Sequence, residues 1–378
     1  MPGERSVPYL VIGAGVHGLS TAWHLAERGE QVLVVDKTGV AAGASGIACG
    51  VVRNNYFQPA MSELMAACVE IWESDPETLH YHGSGYIALG DGDQEADLST
   101  VADRQERIGY ESELILGEAE VTKHMKGLFA DWRAPGLSVC LHEHRGGFAF
   151  NKESIGGLAR KALAAGAEIA EGVEVTGFER DGSGTVTRVQ TSEGDVAVEQ
   201  VIVAVGPWIA NVWDMLGLPR RLEVAGEERE MWTYWYLQEG EIDVDPSVFV
   251  TADGRLPPVL HVDSHAPLHA DDGTLITDDQ WGVYFKQDRD GVQGERRRCL
   301  RATSSRSTRI PPALPRRASP TSGARPSRTA WSASRARARS TTRCARAEWA
   351  PSQPTTSRSS TTCARTCSWS PTRTTATR

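Results

Sequence analysis

Gly13, Gly15 and Gly18 stand at GxGxxG spacing near the start of the chain, and Asp36 follows the third glycine by 18 residues. Glycines so spaced let the backbone approach a pyrophosphate. The helix they open offers its amide end to the phosphates, and a strand-end carboxylate accepts ribose hydroxyls. Gly13, Ala14, Gly15, Val16, His17, Gly18 and Asp36 are therefore candidate dinucleotide-binding residues, with the His17 side chain expected to face solvent. The elements that must hold them are legible on either side. Residues 9–12 are apolar throughout and read as a buried parallel strand. Leu19, Ala22, Trp23 and Ala26 share one face of a helix that Gly29 closes, and residues 31–35 form a second strand. Strand, helix, strand and acid in that order are far more specific than three glycines alone.

The residues that follow favour FAD over NAD. After Lys37-Thr38-Gly39-Val40 comes a loop of small residues, AAGASGIACG at 41–50, whose backbone amides can reach a second phosphate and the flavin edge. A second GxGxxG is lacking, since GSGYIALG at 83–90 has the wrong spacing, and this disfavours a pyridine-nucleotide reductase. From here the chain resembles the D-amino-acid oxidase/sarcosine oxidase superfamily, its sarcosine oxidases above all. The residues carrying the likeness are GAGVHG (13–18), VVDK (34–37), ASG (44–46), VVRNNY (51–56), GVEV (172–175) and VAVGPW (203–208), and it runs from about Pro8 to Gly294.

That resemblance implies a flavoprotein that oxidises the C–N bond of an amine or amino acid, of the sarcosine or N-methyl type. Hydride passes to the flavin, the imine is hydrolysed, and O2 or another acceptor takes the electrons. It adds Lys37, Ser45, Gly46, Gly206 and a backbone contact from Val175 to the cofactor set. It also gives Arg53 the role of holding the substrate carboxylate. From the residues alone, Arg53 could instead pair with an acid at a domain seam. A D-amino-acid or hydroxyproline dehydrogenase on the same fold is the alternative activity. The superfamily's covalent-FMN histidine would fall at Asn151, so no FMN is expected. Its oxygen-reactive lysine would fall near Gln293, with Lys286 too early in the sequence to replace it. Tyr56 and Tyr86 are weaker substrate candidates, and Trp232, Tyr234, Trp235 and Tyr236 read as a core strand or an ammonium cage.

Metal binding is not expected. His261, His265 and His269 would align on a helix, but Pro257, Pro258 and Pro267 oppose one, and the alternating apolar residues favour strand and loop. Cys49, Cys68 and Cys140 lack CxxC spacing and are expected to be free thiols. With no signal peptide and no long apolar run, a cytoplasmic protein without a membrane span is expected.

Composition divides the chain in two. The net charge of −9 conceals an acidic stretch to Gly294 and an arginine-rich remainder, 295–378, with 19 Arg, no Lys and only Glu295 and Glu348 as acids. That remainder lacks the apolar residues to offset its chain entropy and is expected not to fold by itself. Arg, Ser, Thr, Ala, Pro, Cys and Trp without Lys or Asp is what a GC-rich gene gives when read out of register. Codons chosen for TCSWSPTRTTATR, 366–378, yield VFVVADSNHGYK in a shifted frame, and ADSNHGYK resembles the superfamily's closing flavin-binding turn. A frameshift after Gly294 is therefore expected, leaving the product short of its last strand and of a substrate-site lysine. The competing reading is a non-catalytic nucleic-acid binder acting through the arginine tail.

The fold expected is α/β, two-lobed, with a Rossmann-type FAD lobe interleaved with a mixed-sheet substrate lobe. The FAD lobe takes about 7–80 and 140–215, the substrate lobe about 81–139 and 216–294. Helices are expected over 60–73 and 152–165, a strand meander over 174–205, and substrate-lobe strands at 86–89, 248–250 and 282–285.

Overall fold

The computed structural model describes residues 5–224, 226–230, 235–242, 247, 249–270, 272–289, 291–298 and 345–349. Arg5–Ile12 (β1), Val16–Glu27 (α1) and Val32–Asp36 (β2) open the chain as a βαβ unit, followed by Val51–Val52 (β3) and Pro59–Ser74 (α2). Tyr81–His82 (β4) and Tyr86–Gly90 (β5) carry the chain into a second lobe with Glu95–Arg107 (α3), Ser112–Leu116 (β6), Glu118–Leu128 (α4) and Val139–Glu143 (β7). Gly147–Ala149 (β8) and Asn151–Ala164 (α5) return it to the first lobe. There Glu168–Glu171 (β9), Val175–Arg180 (β10), Val186–Thr191 (β11), Val196–Val203 (β12) and Ile209–Met215 (α6) follow. Arg221–Val224 (β13) and Glu227–Glu230 (β14) form a hairpin. Trp235–Ile242 (β15), Val259–Ser264 (β16), Leu268–His269 (β17), Leu275–Thr277 (β18), Trp281–Gln287 (β19), Val292–Arg298 (β20) and Ala345–Trp349 (β21) come after it.

The first lobe is a six-stranded sheet in the order β10-β11-β12-β1-β2-β9, with β12, β1, β2 and β9 parallel. A parallel strand covered on both faces must be apolar at every position, which explains the unbroken run at 9–12. Val11 and Val34 meet Leu19, Ala22, Leu158 and Ala162 of α1 and α5 on one face. Leu10, Ile12, Leu33 and Val35 meet Val175, Val189, Val196 and Val198 of the meander on the other. Leu10, Leu19 and Leu33 are at most 2% exposed, and each such burial contributes about 2 kcal/mol.

The second lobe is an eight-stranded sheet in the order β21-β15-β20-β19-β16-β5-β7-β6. Alternation along β5 sorts its side chains, with Ile87 and Leu89 against Val121 and Met125 of α4, and Tyr86 and Ala88 against Leu98 and Val101 of α3. A small sheet, β3-β8-β4, stands between the lobes and fixes Val51 opposite Phe148.

One expectation is corrected. Residues 249 and 250 are not in a strand, and Val248 lies outside the described residues; Phe249 sits in a bend as a core side chain stacked on Phe129 at 6.0 Å. Strand β7 runs through Glu143 and pairs on both sides within the second sheet, with β5 and β6. Strand β20 continues through Arg298, four residues past Gly294, because β19 offers a partner as far as Trp281. The backbone of β21 also pairs with β15, Trp349 opposite Trp235 and Ala345 opposite Glu239. The rest of the arginine-rich stretch lies outside the described residues, as does the expectation that it is unfolded.

Candidate functional site

The end of β1 forms a cradle free of side chains. Gly13 has φ +110°, a region other residues avoid, and a Cβ there would stand 2.4 Å from the Ala204 carbonyl oxygen beyond β12. A Cβ on Gly18 would stand 1.9 Å from the Gly13 oxygen, so glycine alone lets α1 begin this close to the loop. Gly15 is the N-cap of α1, which has no side-chain cap and no acidic residue in its first turn. The helix therefore keeps its amides and positive dipole end available for an anion. The Val16 amide donates to Ser45 Oγ at 3.0 Å, leaving the Ser45 hydroxyl proton to meet a phosphate oxygen.

Asp36 closes the cradle from β2. Its Oδ2 accepts from the Ala14 amide at 2.9 Å, and its Oδ1 accepts from the Thr38 and Gly39 amides at 2.8 Å each. A carboxylate has about four acceptor positions, so one remains for a ribose hydroxyl. The Val173 amide donates to the Asp36 carbonyl at 3.0 Å, which brings the start of β10, with buried Val175, to the same end of the sheet. Lys37 Nζ lies 4.5 Å above the Trp208 ring, and Trp208 belongs to the 3-10 turn Gly206–Trp208, where Gly206 has φ +52°. The turn Ala44–Gly46 is held close to Ala41, since a Cβ on Gly46 would meet the Ala41 oxygen at 1.9 Å. His17 is exposed, and its carbonyl accepts from Thr21 Oγ1 at 2.8 Å. Asn151 donates its side-chain amide to the Ala48 carbonyl, tying α5 to the 41–50 loop. Open glycine cradle, uncapped helix end and strand-end acid together fit the diphosphate and ribose of FAD.

Arg53 follows β3, in the seam between the lobes. Its Nη1 donates to the Tyr86 hydroxyl at 2.6 Å, and its guanidinium carbon lies 5.1 Å from the Tyr86 ring and 5.6 Å from the Tyr56 ring. Among the described residues no carboxylate comes within 4.0 Å of it. Burial works against its charge, but the fields of Tyr86, Tyr284, Tyr56 and Glu143 outweigh that and raise its pKa above the ordinary arginine value. Glu143, on β7, is itself wholly buried, and its bonds go elsewhere: Oε2 accepts from the Asn54 amide at 2.7 Å and Oε1 from Gln105 Nε2 at 2.8 Å. Burial pushes the Glu143 carboxyl up to about 7 against those hydrogen bonds and Arg53.

Lys286 lies directly opposite Gln293 across β19 and β20. It is 3% exposed, with Nζ 4.7 Å from the Phe148 ring centre. A cavity of about 300 Å³ opens beside it, lined by His82, Phe148, Phe150, Leu256 and Arg289 among others.

The histidines at 261, 265 and 269 separate. His261 turns inward to Tyr86 and Asp263, and His265 pairs with Asp91 at 2.8 Å on the surface. Asp91, Asp93 and His265 approach one another as an exposed acidic cluster. Sequence reading passed over two groups here. The i, i+2 spacing of His261 and Asp263 on a strand signalled a shared face, whereas nothing local marked Glu143, whose neighbours are set by pairing with distant strands. Trp232 and Tyr234 lie outside the described residues, and so do the side chains of Trp235 and Tyr236. Among the described residues no helix is long and apolar enough to cross a membrane.

Known proteins resemble this chain in sequence and fold. The chain is 28% identical over 221 residues to the sarcosine oxidase subunit beta of Rhizobium meliloti (strain 1021), covering 57% of this chain and 53% of that protein. It is 28% identical over 240 residues to the glycine oxidase of Pseudomonas putida, covering 57% and 59%. The chain thus spans between half and two thirds of the length of these curated relatives. Among solved structures, L-proline dehydrogenase from P. horikoshii superposes with a TM-score of 0.62 at 21% identity, covering 77% of this chain and 70% of that one. Glycine oxidase from Bacillus cereus ATCC 14579 gives 0.53 at 22%, covering 76% and 70%. These two likenesses show the fold. The family model described as FAD dependent oxidoreductase matches residues 9–340, and the chain belongs to that FAD-dependent oxidoreductase family.

Proposed function

We propose that this protein oxidises the C–N bond of a small amino acid, a secondary or N-methyl amino acid above all. The observation that carries the reading is Arg53: a guanidinium in the interlobe seam, held by a tyrosine hydroxyl and with no carboxylate within 4.0 Å among the described residues. A half-buried guanidinium without a carboxylate partner is costly, and a substrate carboxylate supplies that partner through a charge-assisted fork. FAD, when bound, accepts the hydride from the substrate α-carbon. The protein's part is to fix the carboxylate at Arg53, exclude water with Tyr56, Tyr86 and Tyr284, and hold the cofactor through the 13–18 cradle, Asp36 and Ser45. Relatives named as sarcosine and glycine oxidases, and the L-proline dehydrogenase fold, support an amino acid as substrate. A D-amino acid or hydroxyproline, with O2 or another acceptor, is the second reading on the same site.

The test is ligand binding rather than turnover. Acetate added to the flavin-loaded protein is expected to perturb the flavin absorbance, and Arg53→Met to abolish that response. An equal response in both proteins would remove Arg53 from the substrate site. The same reading takes 295–378 as the product of a shifted frame, and sequencing the gene across the Gly294 codon tests it.

A further inference from the structure

Beyond Arg53, a hydrogen bond joins Tyr86 to His261, and His261 in turn stands within ion-pair distance of Asp263. Tyr86 stands on β5 and the other two on the adjacent parallel β16, where residues two apart share a face. The Tyr86 hydroxyl accepts from Arg53 and lies 2.9 Å from His261 Nδ1, and His261 Nε2 lies 3.2 Å from Asp263 Oδ2. With the proton of the neutral ring on Nε2, Tyr86 O–H donates to Nδ1 and the Nε2 proton faces the Asp263 carboxylate. This is the connectivity of a hydroxyl–histidine–acid triad with tyrosine at its head. The chain also has a direction. Tyr86 is wholly buried beside Arg53, while the side chains of His261 and Asp263 are 13% and 22% exposed.

We propose that Tyr86, His261 and Asp263 form a proton relay that deprotonates the substrate ammonium before hydride leaves the α-carbon. The inference rests on the amine-oxidation reading and deepens it. An amino acid arrives as an ammonium, whose nitrogen has no lone pair to assist departure of the hydride. In the step, one N–H bond of the ammonium breaks and the proton passes to the Tyr86 oxygen. Tyr86 simultaneously passes its own proton to His261 Nδ1. The nitrogen keeps the electron pair and becomes a neutral amine, His261 becomes an imidazolium held by Asp263, and nothing is oxidised or reduced. The proton leaves to solvent at the Asp263 end.

The surroundings suit both charges formed. Arg53 stabilises negative charge on the Tyr86 oxygen as the protons move, and Asp263 stabilises the imidazolium. Tyr284 of β19 faces the His261 ring edge-on at 5.4 Å, and the Tyr56 ring lies 5.6 Å from the Arg53 guanidinium carbon. Glu143 of β7 is occupied with Asn54 and Gln105, and Lys286 of β19 lies over Phe148. At rest Tyr86 keeps its proton, because burial pushes its hydroxyl up to about 12 against the opposing charge of Arg53.

Rapid-mixing reduction of the flavin-loaded full chain without oxygen, with sarcosine as the probe and pH varied, tests the relay. Below the amine pKa of sarcosine, His261→Gln and Tyr86→Phe are each expected to slow reduction about 100-fold, the typical scale of general base catalysis. The loss is expected to vanish above that pKa, where the amine arrives already neutral, and Asp263→Asn to show the same pH shape with a smaller loss. A loss constant at every pH, or no loss, overturns the relay. Acetate binding to His261→Gln, read from flavin absorbance, is expected to match the parent protein, since Arg53 is intact; a lost response shows a merely structural defect and also overturns it. A parent protein that sarcosine, proline, glycine and D-alanine all fail to reduce overturns the amine-oxidation reading itself, and the relay with it.

Discussion

Lys286 and Gln293 face each other across the antiparallel ladder of β19 and β20, with Phe285 opposite Gly294 beside them. Seven residues part the two in sequence, but pairing of the two strands cancels that distance. Opposed residues in such a ladder have Cβ atoms about 5 Å apart on one face of the sheet. A lysine on the neighbouring strand therefore stands beside Gln293, near which the superfamily's oxygen-reactive lysine would fall. Lys286 is nearly sealed from solvent, so its charge acts through a medium that screens it weakly.

If that charge assists transfer of electrons from reduced flavin to O2, Lys286→Met is expected to slow reoxidation on the order of 100-fold. Anaerobic reduction by substrate should change far less. Equal effects on the two half-reactions would assign Lys286 to packing against Phe148.

Gly15 has an ordinary backbone conformation, and a Cβ there meets only the Ser45 side chain, with Oγ at 3.0 Å and Cβ at 3.8 Å. Gly15→Leu is thus tolerated by the fold but fills the path of the pyrophosphate. Flavin affinity is expected to fall at least about 100-fold, or ~2.7 kcal/mol, with the apo protein's unfolding temperature nearly unchanged. Retained flavin would contradict the cradle.

Arg53→Lys keeps the charge and loses the fork. Its expected cost is about 1.5–3 kcal/mol in kcat/KM, carried mainly by KM for a carboxylate-bearing substrate. Steady-state kinetics on the flavin-loaded variant decide it, and an unaltered KM assigns Arg53 to structure.

Glu143 gives stability a pH dependence whose sign follows from burial. Its carboxyl ionises near 4.5 as a free group but holds its proton to about 7 in the folded protein. The folded state therefore binds more protons between those values, and its contribution to stability is lost as pH rises from 4.5 through 7. Glu143→Gln removes this dependence. Across that window the stability of the variant relative to the parent is expected to rise with pH by up to about 3 kcal/mol. Parallel curves in denaturant unfolding would show that Glu143 does not titrate there.

The first lobe was legible because its signals are local. Residues 9–12, the 13–18 glycines and Asp36 lie within a single βαβ unit, and helices expected at 60–73 and 152–165 fall within one residue of α2 and α5 at each end. The second site was not, because it is assembled by pairing. Arg53, Tyr86, Glu143 and His261 come from four separate segments, brought together where β5 pairs with β7 on one side and β16 on the other. His261 illustrates the difficulty: spacing grouped it with His265 and His269, while the sheet turned it to Tyr86. Residues 248–250 failed for a different reason, since a short apolar run marks burial and does not distinguish strand from bend.

The most direct test of an amino-acid-oxidising flavoprotein is an anaerobic titration of the flavin-loaded protein, followed by the absorbance of oxidised flavin. Sarcosine or another secondary amino acid is expected to bleach the flavin of the parent protein, to do so far less readily in Arg53→Met, and NADPH to leave it unchanged. A flavin reduced by NADPH but by none of the amino acids would contradict that function.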